Sequence, residues 1–217
     1  MDQLGNLLDR PRLYYNIDGL AELGGGLMFL GIALLLSLPA NSVWHSILSL
    51  ILAGFILVVL PWGIKTVKTH ITYPRTGFVE YRRDERRRTS IVSGIAAALI
   101  VLGLGTAARG HWDTTTFASL IGLIFAAVYA YRLGRAVRWK MAFAGAIALA
   151  SIAIGFLPAD FLAAMANDSL VTHPFLAKFG GTLVVSFMTY GAMLLVSGGI
   201  SFWFYLRHTP APAREGQ

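Results

Sequence analysis

Residues 179–206, FGGTLVVSFMTYGAMLLVSGGISFWFYL, form an apolar stretch that contains no charged side chain. An α-helix needs about 20 apolar residues to cross a hydrocarbon core roughly 30 Å thick. Because lipid offers the backbone no hydrogen-bond partners, such a stretch is expected to be a helix, in which the N–H and C=O groups pair internally. This stretch therefore predicts a helical membrane protein.

Five shorter apolar runs precede this stretch and are separated by polar gaps. We predict an all-α, polytopic transmembrane bundle of six helices. It forms a single transmembrane domain over residues 16–206, preceded by a cytoplasmic interfacial segment, 1–15, and followed by a disordered cytoplasmic tail, 207–217. The predicted spans are 19–39, 42–64, 91–108, 114–131, 141–158 and 179–206.

The composition agrees with a membrane location. The chain has 56% hydrophobic residues, 13% charged residues and a mean hydropathy of +0.63, values outside the range of ordinary soluble domains. Its 217 residues leave room for one bundle and for no catalytic domain outside the membrane. The absence of cysteine excludes disulfides and thiolate chemistry.

The distribution of positive charge predicts the orientation. All but two of the 18 Lys and Arg residues lie in the N-terminal segment, in the second and fourth gaps and in the tail; the exceptions are Arg109 and Lys178. By the positive-inside rule, both termini and the two basic loops lie in the cytoplasm, and the expected location is the bacterial cytoplasmic (inner) membrane. We assign the net charge of +7 to anionic lipid headgroups rather than to nucleic acid, because no recognition helix or aromatic-studded sheet accompanies it.

The gap between the second and third spans predicts a small cytoplasmic β-hairpin over residues 67–82. Pro74 presets a turn, Gly77 tolerates positive φ, and β-branched and aromatic residues alternate on both sides. The hairpin and the Arg-rich segment after it are interpreted either as a contact surface for a partner or anionic lipid, or as a rigid connector that fixes the topology. The residues of the contact surface are Tyr73, Arg75, Phe78, Tyr81, Arg82, Arg83, Arg86, Arg87 and Arg88.

Two carboxylates lie one helical turn apart at the entry of the first span, Asp18 and Glu22. They are interpreted as helix-capping acids that interact with the dipole, or as acids that lock the loop by pairing with Arg82, Arg83 or another loop cation. A role as general acid or base would need a nucleophile or metal nearby, and none is identified.

Two short motifs carry a resemblance to a known group of proteins. The loop motif Tyr-Pro-Arg-Thr-Gly-Phe-Val, residues 73–79, and Asp-Gly-Leu with Glu22, beginning at residue 18, resemble those of uncharacterised bacterial multi-pass membrane proteins. The resemblance extends over the first three spans at most. It implies a prokaryotic membrane origin and no particular activity.

The predicted outer face carries scattered imidazoles and carboxylates, which are plausible ligands for zinc and other transition metals. Their spacing matches no paired-histidine motif, so we predict no metal, no cofactor and no catalytic residue. These residues are His45, His111, Asp113, Asp160, Asp168 and His173.

Three functions fit these observations. The first is a non-enzymatic accessory or scaffold subunit, joined to itself or to other membrane subunits by the cytoplasmic hairpin and Gly-rich helices. The alternative is a small oligomeric channel or facilitator for a neutral solute, lined by the last helix with Ser186, Thr189 and Ser197. The third is an intramembrane enzyme acting on lipid, for which His111 and Asp113 would be the candidate residues.

Overall fold

The computed structural model describes residues 18–38, 43–76, 91, 94–95, 98–99, 102–103, 106, 112–134, 139–165 and 174–209. Every regular element within these residues is helical. The α-helices in chain order are α1 (Leu20–Ser37), α2 (Val43–Gly54), α3 (Leu60–Val67), α4 (Tyr73–Thr76), α5 (Thr114–Tyr129), α6 (Lys140–Gly155), α7 (Ala159–Met165) and α8 (Pro174–His208). Wider π-helical turns follow α2, α3 and α5, at Phe55–Val59, Lys68–Thr72 and Ala130–Gly134.

Three helical segments are long and apolar enough to cross a membrane: Leu20–Ser37, Thr114–Arg132 and Phe175–His208. A fourth is obtained if α6 and α7, which are bent by 106° relative to each other, count as one broken span. In this coarse form, the prediction of a helical chain with apolar helices long enough for a membrane is confirmed. The number of six spans stays a prediction, since most of the predicted third span lies outside the described residues.

The predicted β-hairpin is wrong. Helical backbone continues from Val43 through Thr76, across the segment that should have formed the first strand, and no strand occurs in the part of the chain that the structure describes. We name this continuous element, α2 to α4 with its two π turns, the 43–76 rod. The rest of the predicted hairpin, residues 77–82, lies outside the described residues.

Two prolines explain both the wrong hairpin prediction and the π-helical turns of the rod. A proline inside a helix removes one backbone hydrogen bond, and its ring crowds the carbonyl four residues earlier. For Pro61 and Pro74 those carbonyls belong to Leu57 and His70, and each lies within a π-helical turn. The wider turn relieves the crowding. The rod therefore passes both prolines without ending.

The bundle is organised around α8, which packs along α1, while α5 packs along α6. Small residues bring α1 and α8 together: a Cβ on Gly26 would lie 2.9 Å from the carbonyl oxygen of Gly191. Aromatic rings join the two pairs of helices, since Phe125 of α5 lies 5.1 Å from Phe29 and 5.2 Å from Tyr190, centroid to centroid. The core thus lies between all four helices.

Gly19 fixes how the chain enters α1. It has φ +69°, a conformation that favours glycine, and a Cβ there would collide with the carbonyl oxygen of Gly198. The start of α1 is therefore held against the last third of α8. This contact brings Asp18 and Glu22 to the end of the bundle where Lys68 and Lys140 also lie.

Candidate functional site

A buried ion pair lies at this end of the bundle. Glu22 of α1 and Lys140 of α6 are each 1% exposed, and the Lys140 Nζ atom lies 2.8 Å from the Glu22 Oε2 atom. The other carboxylate oxygen, Oε1, accepts hydrogen bonds from the hydroxyls of Tyr129 in α5, at 3.0 Å, and Ser197 in α8, at 2.9 Å. We call these four residues the Glu22 cluster; they connect the four principal helices.

A second carboxylate one turn earlier holds the 43–76 rod. Asp18 is fully buried; its Oδ1 atom accepts a hydrogen bond from the N–H of Leu20, the first residue of α1, at 3.2 Å. Its Oδ2 atom lies 3.7 Å from Lys68 Nζ and accepts a hydrogen bond from the Thr72 hydroxyl at 3.3 Å. The π turn that contains Lys68 and Thr72 is therefore attached to the start of α1.

In the Asp18–Lys68 pair, desolvation shifts the two pKa values more than the attraction between the charges does. Desolvation raises the pKa of Asp18 above its usual value, although the Lys68 charge, the Leu20 N–H and the Thr72 hydroxyl act in the opposite direction. Desolvation likewise lowers the pKa of Lys68, against the attraction of Asp18. Both shifts disfavour the charged forms, so this pair orients the rod at an electrostatic cost rather than adding large stability.

Two further contacts fasten the end of the rod to the end of α8. The Tyr205 hydroxyl donates a hydrogen bond to the backbone carbonyl of Thr72 at 2.9 Å. The Arg75 guanidinium donates to the carbonyls of Leu206 and Thr209, at 3.2 and 3.0 Å. Carbonyls in the last turn of a helix lack intrahelical partners, so Arg75 acts as the C-terminal cap of α8.

Replacing Arg75 by Ala is expected to lower the free energy of unfolding by about 2 kcal/mol, because two carbonyls lose a charged donor. Thermal unfolding in detergent measures the loss, and limited trypsin digestion should cut faster at Arg207 of the released helix end. Lys65→Ala is the matched control, since Lys65 is an exposed cation of the same rod. Equal stability of the two variants would contradict the capping role.

The sequence predicted several residues whose positions can now be given. Asp18 and Glu22 contact Lys68 and Lys140; whether they also approach Arg82 or Arg83 lies outside the described residues. Tyr73 and Arg75 belong to α4 and are partly buried. The remaining residues of the predicted contact surface, Phe78, Tyr81, Arg82, Arg83, Arg86, Arg87 and Arg88, lie outside the described part of the chain.

One candidate metal ligand of the predicted outer face, Asp113, has a structural role. Asp113 caps α5, accepting a hydrogen bond from the Thr116 N–H at 2.9 Å. Hydrogen bonds from Thr116 lower the pKa of this exposed carboxyl below its usual value. His45 belongs to α2, whereas His111 and His173 lie outside the described residues. Within the described ranges, no three His, Asp or Glu residues gather as a metal site would require.

Sequence reasoning missed the hydroxyl partners of the two acids, although α8 carries a signal for one of them, Ser197. Six of its seven hydroxyl residues recur at intervals of four or seven positions, so they share one helical face. These six are buried, and the face therefore points into the bundle rather than to lipid. They are Thr182, Ser186, Tyr190, Ser197, Ser201 and Tyr205.

The Glu22 cluster has little capacity left for chemistry. Its carboxylate is paired with a cation and two hydroxyls, and all four side chains are buried. Such an arrangement suits a structural clasp between helices better than a proton acceptor or nucleophile open to substrate.

Comparisons with protein-family models, curated proteins and solved structures find no match to this chain.

Proposed function

We propose that the protein is a non-enzymatic accessory or scaffold subunit of the bacterial cytoplasmic membrane, with both termini in the cytoplasm. It associates with itself or with other membrane subunits through the apolar face of the 43–76 rod. The charge distribution supports the orientation, and the motifs at residues 18–22 and 73–79, which resemble those of bacterial multi-pass proteins, support the bacterial membrane.

The observation that carries the proposal is the exposure of the rod. Among the described side chains between Val43 and Val67, none is buried. Trp44 is 75% exposed, Leu50 76%, Val58 66% and Trp62 66%. One side of the rod packs on α1 through Leu52, Leu60 and Ile64, and its last turns are held at Lys68, Thr72 and Arg75. The exposed apolar side chains on its other side are available to a helix of another subunit.

The contacts of α8 favour this function over a pore. Ser197 donates to Glu22 of α1, and the hydroxyl of Tyr190 lies 2.6 Å from that of Ser151 in α6, so these hydroxyls contribute to packing between helices. Leu194 and Ile147 are buried and pack with Tyr190 and Tyr129 in a single core cluster. Apolar side chains thus fill the interior of the bundle between the hydroxyl of Tyr190 and the hydroxyl of Ser197.

Disulfide cross-linking tests self-association, because the chain contains no cysteine and each introduced thiol is unique. Leu50→Cys on the rod should give a covalent dimer when native membranes are oxidised. Leu149→Cys is the matched control: this side chain is 70% exposed on α6, away from the rod. It should remain monomeric at equal expression.

Purification in several mild detergents, followed by mass measurement, tests whether the protein associates with partners other than a second copy of itself. A pull-down from native membranes should recover the same membrane subunit from the parent chain and lose it with Leu50→Arg. The proposal is contradicted if the chain is strictly monomeric, lacks partners in every detergent and gives no Leu50→Cys dimer.

A further inference from the structure

The short helix α7 lies across the direction of α6. The two axes form an angle of 106°, so α7 runs within about 16° of the plane perpendicular to α6. Placed in a bilayer with the rest of the bundle, an apolar helix such as α6 follows the membrane normal with an average tilt of about 20°. The helix α7 therefore runs close to the membrane plane rather than through the bilayer.

Two neighbouring helices indicate the depth of α7. Helix α6 has 16 residues, which rise about 24 Å, and its first residue, Lys140, pairs with Glu22. On α8, Gly181 lies against the backbone of α7, sixteen residues before Ser197, the partner of Glu22, which is again about 24 Å. Charged groups favour the boundary of the hydrocarbon core over its interior. With the ion pair at the cytoplasmic boundary of a core roughly 30 Å thick, α7 lies about 6 Å inside the outer boundary.

The large apolar side chains of α7 share one side of the helix. Leu162 is buried where α7 packs on α8. Phe161 and Met165 are four positions apart, so they point the same way, and both are exposed. Ala163 is exposed on the opposite side of the helix. Phe156, in the bend before α7, adds a third large exposed side chain.

We propose that α7 is an interfacial helix whose Phe161–Met165 side is embedded in the acyl chains of the outer leaflet. Helices that lie in the interface insert their apolar side about 5–10 Å deep, which agrees with the depth of α7. A protein partner fits this side less well, because a stable interface involves about 20–30 residues on each partner. The inference depends on the proposed membrane orientation and goes beyond the scaffold function, which uses the 43–76 rod.

Spin labels on single introduced cysteines test the embedding, because the chain contains no cysteine of its own. The full-length variants Phe161→Cys, Met165→Cys and Ala163→Cys are labelled and reconstituted in vesicles of phosphatidylethanolamine and phosphatidylglycerol. Collisions of each label are measured with oxygen, which concentrates in lipid, and with a nickel chelate, which stays in water. The ratio of oxygen to nickel collisions at Phe161→Cys and Met165→Cys should exceed that at Ala163→Cys, the matched control, about fivefold.

Two results would overturn the proposal. Equal ratios at the three positions would mean that both sides of α7 lie in one environment. Exclusion of both reagents from Phe161→Cys and Met165→Cys would mean that a second copy or another protein covers this side. A melting temperature close to that of the parent chain shows that a variant folds, and either of the two embedded positions is sufficient for the comparison.

The choice of leaflet has its own measurement. In right-side-out membrane vesicles, a membrane-impermeant maleimide should label Ala163→Cys, whereas labelling only in inverted vesicles would overturn the assignment to the outer leaflet. Leu50→Cys cross-linking does not involve α7, so it reports separately on the proposed scaffold function.

Discussion

Lys140→Met is expected to destabilise the bundle by about 4 kcal/mol, because it leaves the buried Glu22 carboxylate without its cation. Methionine keeps most of the length and volume of the lysine side chain, so the loss reflects charge rather than a cavity. The hydroxyls of Tyr129 and Ser197 remain as partners, but neither neutralises the charge. Thermal and chemical unfolding in detergent, compared with the parent chain, measure the change.

The double variant Glu22→Gln/Lys140→Met separates the pair energy from the cost of an isolated charge. Removing both charges should recover at least half of the stability lost in Lys140→Met, since a neutral amide is much less costly to bury. Lys65→Met is the control for the substitution itself, because Lys65 is exposed. A double variant as unstable as the sum of its single changes would show that the two residues do not form an energetic pair.

Gly181→Ala is expected to have the second largest effect, a loss of about 3 kcal/mol in the free energy of unfolding. A Cβ at this position would collide with the carbonyl oxygen of Leu162 in α7. The obstacle is backbone rather than the end of a flexible side chain, so α7 must move away from α8. Hydrogen exchange at α7 should then accelerate more than exchange elsewhere in the bundle.

Gly199→Ala on the same helix is the matched control for Gly181→Ala. A Cβ at Gly199 meets no atom within 4 Å, so the only contribution is the better helix propensity of alanine. The change should be neutral or stabilising by up to about 1 kcal/mol. Similar losses for the two glycines would show that the α7–α8 contact is not the cause.

Much of the helical structure could be predicted because it depends on local properties of the sequence. Long uncharged runs such as 179–206 indicate helices, since lipid leaves an unpaired backbone no alternative. The β-hairpin prediction failed because Pro74 was interpreted as the corner of a turn. A π turn at Lys68–Thr72 accommodates this proline within a helix, and no pattern in the alternating residues around it distinguishes the two outcomes.

The candidate site was less predictable because its contacts are distant in sequence. The sequence identified Asp18 and Glu22 as acids near a helix start, but which cations face them depends on how the helices are arranged around α8. Lys140 was assigned to a basic loop by charge alone, and nothing in its neighbours marks it as buried. The hydroxyl face of α8 was detectable from its spacing.

The separation of 118 residues between Glu22 and Lys140 has a consequence for biosynthesis. At about 5–20 residues per second, the ribosome adds Lys140 roughly 6–24 s after Glu22. Ser197, which is 175 residues from Glu22, is added later still. During this interval the Glu22 carboxylate lacks both of these partners. The buried contacts of α1 at Glu22 therefore form only after Lys140 and Ser197 have been synthesised.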